Sequence, residues 1–98
     1  MAISEGQATN FVARVRSDYL TLEARVQDAQ RIATSIDQET GAWGGAAAIT
    51  AAIPQATWDN TYPFTKAEFA DILSNMGDAI DMLGTHGDLK PNLTRLRE

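Results

Sequence analysis

Ninety-eight residues, 44% hydrophobic and 21% charged, describe one folded domain with a modest core and exclude wholesale disorder. A net charge of −5 with no basic face argues against direct nucleic-acid binding, which needs cations to replace condensed counterions. No stretch approaches the ~18 consecutive apolar residues of a membrane-spanning helix, and the absence of cysteine removes disulfide and thiol chemistry.

The start of the chain, Met1-Ala2-Ile3-Ser4-Glu5-Gly6, lacks the basic and apolar regions of a signal peptide, so synthesis and folding in a cytoplasm are expected. Ser4 and Gln7 fit a capping box at a helix start. Apolar residues then follow at Ala8, Val12, Val15, Tyr19, Leu22, Val26, Ala29, Ala33 and Ile36. This alternating four-and-three spacing marks a coiled-coil or bundle seam. Phe11 and Ile32 widen the stripe, while Arg16, Asp18, Glu23 and Arg25 flank it as solubilising charges. With Gly41 as its stop, the spacing predicts one helix over 5–39, about 50 Å long at ~1.5 Å per residue.

Residues 41–64 change character. Asp59 is their only charged residue, yet they hold Trp43, Trp58, Tyr62, Pro54 and Pro63. Ala46 to Ile53 reads equally as two helical turns stopped by Pro54 or as a short extended run. An apolar connector this long is unusual. Trp43, Ile49, Ile53 and Trp58 either fold back over the domain's own core or anchor a partner, as buried tryptophans do at interfaces.

The clearest local signal follows at Phe64-Thr65-Lys66-Ala67-Glu68-Phe69. Thr65 and Glu68 form a second capping box, with Phe64 and Phe69 as its hydrophobic staple. Phe69, Ile72, Leu73, Met76, Ile80 and Leu83 mark one face of a helix over 66–83, which Gly84 and Gly87 end. The tail adds a short helical turn within 89–97, with Leu89, Leu93 and Leu96 on one side and a slight excess of base over acid. The fold class is therefore all-α over a single domain, 1–98.

A helix of about 27 Å laid along one of about 50 Å leaves part of the first stripe bare. Each buried Val or Leu is worth ~1.5–3 kcal/mol, so several exposed seam residues would be a heavy cost for a small domain. The second helix, running antiparallel, can cover the end from Val26 to Ile36. The end from Val12 to Leu22 lacks a cover, and another subunit is its natural source. Val12, Val15, Tyr19 and Leu22, with Trp43 and Trp58, are accordingly the expected protein-contact residues.

No catalytic constellation stands out. His86 is the only histidine, without a second histidine or a cysteine to complete a metal or nucleophile site. Asp71, Asp78 and Asp81 lie away from the apolar stripe and read as a solvated face. Trp43-Gly44-Gly45 lacks the lysine and spacing of a phosphate loop. No enzyme activity, cofactor or metal is expected.

In overall plan the chain resembles the small helical structural proteins of tailed-bacteriophage virions. The likeness rests on the long first helix, the apolar glycine-containing middle, the Phe64-Thr65-Lys66-Ala67-Glu68-Phe69 helix start and the Asn92-Leu93-Thr94-Arg95-Leu96-Arg97 tail. It implies a non-enzymatic, multi-copy capsid or tail accessory, made in the host cytoplasm and binding its own kind or other virion proteins. A second resemblance, carried by Trp43-Gly44-Gly45, is to the W-x-G helical hairpins exported by type VII secretion, and implies a secreted heterodimer. Pro54 and Pro63 interrupt the second long helix of that family. Its tyrosine-based export signal is matched only at Tyr19 to Glu23, inside the first helix.

Overall fold

The structure, a computed structural model, describes residues 3–24 and 28–82, with side chains defined at all of these except 22–24, 29, 30, 33, 37 and 77–82. The chain is all-α, as expected. Among the described residues the helices are α1 (Glu5–Ala24), α2 (Ala29–Trp43), α3 (Ala46–Ala52), α4 (Gln55–Thr61) and α5 (Lys66–Met82).

The first expectation to change is the continuous helix over 5–39. Two helices occupy that stretch, and they pack side by side. The Phe11 ring meets Trp43 edge-on at 5.4 Å, and Arg14 pairs with Glu39. Low-numbered residues of one helix therefore meet high-numbered residues of the other, which makes α1 and α2 an antiparallel pair. The body spans only 38 × 27 × 18 Å, shorter in every direction than a 50 Å helix. The physical reason is burial. Reversing the chain lets Ala8, Phe11, Val12 and Val15 of α1 share one core with Ile32 and Ile36 of α2, where a straight helix would leave both sets facing water. Asp28, a residue type suited to helix starts, precedes α2.

Local chemistry sets the helix ends. At α1 the Ser4 amide donates to Gln7 Oε1 at 3.0 Å and the Gln7 amide to Ser4 Oγ at 3.1 Å, the reciprocal bonds of a capping box. The expected stop at Gly41 is wrong by three residues. The helix runs through Gly41 to Trp43 and ends at Gly44, whose φ is +88°. There the Gly44 and Gly45 amides both donate to the Thr40 carbonyl, at 2.9 and 3.1 Å, as in a Schellman-type ending. Gly45 is also at positive φ, +98°, so the Trp43-Gly44-Gly45 turn uses backbone conformations that glycine alone adopts freely.

The middle segment, read as an apolar connector with 46–53 open between helical turns and an extended run, is largely helical. The alanine-rich run forms α3, and each of α3 and α4 ends at an extended residue, Ile53 and Tyr62. Both precede a proline, whose ring bars the helical conformation from the residue before it. At α5 the capping box recurs as expected: the Thr65 amide donates to Glu68 Oε1 at 2.9 Å, and the Glu68 amide to Thr65 Oγ1 at 3.1 Å. The expected helix over 66–83 is observed as far as Met82. The tail, where a short helical turn is expected within 89–97, lies outside the described residues.

One core joins all five helices. To the α1 and α2 residues it adds Ala46, Ile49, Ile53, Trp58, Phe64, Phe69, Leu73 and Met76. α5 packs across both α1 and α2, and α3 packs against the same pair. Trp58 lies at an aromatic centre, with Tyr62, Phe64 and Phe69 at ring distances of 4.8, 5.9 and 5.6 Å. The two staple residues of α5 thus close around the tryptophan.

Candidate functional site

The folded arrangement redistributes the six residues expected to contact other proteins. Val12, Val15 and Trp58 are core side chains of the chain itself, each no more than 1% exposed. The cover expected from another subunit is supplied for these three from within the chain, where α2, α3 and α5 pack on α1. Trp58 also donates its indole N–H to the Phe64 carbonyl at 2.9 Å, so its polar edge is satisfied in the interior. Trp43 and Tyr19 are half-buried against the same core. The Leu22 backbone belongs to α1, but its side chain lies outside the described part.

Past its first turn and as far as Thr21, the residues that α1 leaves exposed lie off the stripe. Asn10, Ala13, Arg14, Ser17 and Leu20 are exposed. Leu20, at 52%, is the large apolar side chain most out of place among the described residues. The residue before it in the chain, Tyr19, receives at its hydroxyl a long hydrogen bond, 3.4 Å, from Asn75 Nδ2 of α5. Ser17 and Thr21 form a polar rim, the Thr21 hydroxyl donating to the Ser17 carbonyl at 3.0 Å. Arg16 is turned away onto the Phe64 ring, 5.0 Å from its centroid. The result is one exposed apolar side chain on α1, with the exposed Ser17 one helical turn before it.

A second feature lies between α3 and α5. Ala46, Ala47, Thr50, Ala67, Phe69 and Ala70 line a cleft of about 230 Å³ beside Lys66. The Lys66 ammonium donates to the Thr50 carbonyl at 2.8 Å and to the Ile53 carbonyl at 3.1 Å, and rests 5.8 Å from the Trp58 ring. It therefore supplies donors and positive charge where α3 ends before Pro54, the end at which helix carbonyls lack partners. The lysine is tied to the backbone and serves architecture.

Tyr62 is the one described group with a clear shift in acidity. Burial pushes its phenol above the ordinary value of 10.0, partly offset by a side-chain contact with Thr9. Its hydroxyl donates to the Thr9 carbonyl at 2.7 Å, fastening the end of α4 to α1. Among the described residues no three acidic or histidine side chains converge on a common point, and no helix is long and apolar enough to cross a membrane. Asp71 is exposed; His86 and the side chains of Asp78 and Asp81 lie outside the described part.

Sequence reading missed Leu20, Tyr62 and Lys66. Leu20 carried a usable signal, as an apolar residue standing off the four-and-three stripe. For the other two there was none, because their partners lie 53 and 16 residues away. Compared with models of protein families, with curated proteins and with solved structures, the chain matches none.

Proposed function

We propose that this chain is a non-enzymatic structural or assembly protein, a multi-copy bacteriophage virion component that binds neighbouring subunits through α1. The observation that carries the contact is Leu20, more than half exposed beside the half-buried Tyr19 on the helix half where sequence reading found a cover missing. Support for the virion setting is the resemblance at Phe64 to Phe69 and Asn92 to Arg97. Trp58 serves the fold in this reading.

Light scattering across a concentration series, together with pull-down of virion proteins, tests the reading. Wild-type chain is expected to form an oligomer or a stable complex. Leu20→Asp is expected to lose it while keeping wild-type helicity, since the position is already in water. Val15→Asp is the contrast: an unpaired charge in the core should unfold the chain. A wild-type monomer that captures no virion protein, or a Leu20→Asp variant that assembles normally, would overturn the proposal.

The alternative, a secreted W-x-G hairpin acting as a heterodimer, has one observation in its favour. Trp43-Gly44-Gly45 does form a turn between two helices. It predicts a one-to-one partner complex lost in Trp43→Arg. Circular dichroism must accompany that test, because Trp43 also packs on Phe11.

A further inference from the structure

We draw no further inference here: the strongest candidate, the alanine-lined cleft between α3 and α5 beside Lys66, is an apolar surface for which nothing in the structure shows what covers it.

Discussion

Replacing Trp58 tests whether the aromatic middle segment belongs to the chain's own core. The side chain is fully buried, and a tryptophan buries roughly 150–250 Å². At ~25 cal/mol per Å² that corresponds to about 4–6 kcal/mol of transfer free energy. Trp58→Ala should therefore cost about 3–5 kcal/mol, the usual range for emptying such a site. A domain of this length has only ~5–15 kcal/mol in total, so the variant should be close to unfolding. Trp58→Phe separates the indole N–H from the ring. It keeps an aromatic surface toward Tyr62, Phe64 and Phe69 but leaves the Phe64 carbonyl without its 2.9 Å donor, a loss of about 1–3 kcal/mol. Urea titration followed by far-UV circular dichroism measures both without relying on tryptophan emission, and unchanged m-values would show that stability alone moved. Should both variants keep the wild-type midpoint, Trp58 is not a core residue and the packing described around it is wrong.

Further expectations concern the backbone and two long-range ties. Gly41 lies inside α2 at ordinary helical φ with open space where a Cβ would stand, so Gly41→Ala should raise stability by about 0.5–1 kcal/mol in the same titration. Gly44→Ala should lower it by about 1–2 kcal/mol, because a Cβ is strained at φ +88° even with room around it. Lys66→Met keeps the aliphatic stem but removes both donors to the end of α3; a loss of about 1–2 kcal/mol is expected after allowing for the half-exposed site, and none would refute the capping role. The raised Tyr62 pKa means that the folded state holds the phenolic proton more tightly. Its contribution is complete below the unfolded value near 10 and is lost as pH rises through the folded one. Stability of the wild type should fall more steeply above pH ~10 than that of Tyr62→Phe, as read by urea midpoints across that range.

Sequence reading succeeded where the controlling interactions are short. Both capping boxes span four residues, and in each the side chains reach the amides the pattern assigns to them. Pro54 and Pro63 acted just as locally, each with an extended residue before it. The end of α2 shows where local reasoning fails. A glycine in a helix costs only about 1 kcal/mol relative to alanine, so Gly41 stops the helix only if nothing beyond it gains by continuing. Trp43 does gain: two more residues of helix carry its ring onto Phe11. Gly44, at the first position past that contact, becomes the stop.

The apolar stripe fails for a different reason, and the failure bears on function. Four-and-three spacing specifies a face, and two antiparallel helices can preserve that face while bringing its two halves together. The stripe read as requiring an external subunit is thus covered in large part by its own continuation and by α3 and α5. An assembly that used the stripe itself would first have to part α1 from α2, α3 and α5, exposing Phe11, Val12 and Val15 at about 5–9 kcal/mol, which rivals the stability of the whole domain. A contact through Tyr19 and Leu20 requires no such opening. If the chain assembles as a folded unit, the surface that does so centres on Leu20, which stands off the stripe, and Leu20→Asp rather than Val15→Asp is the substitution that separates assembly from folding.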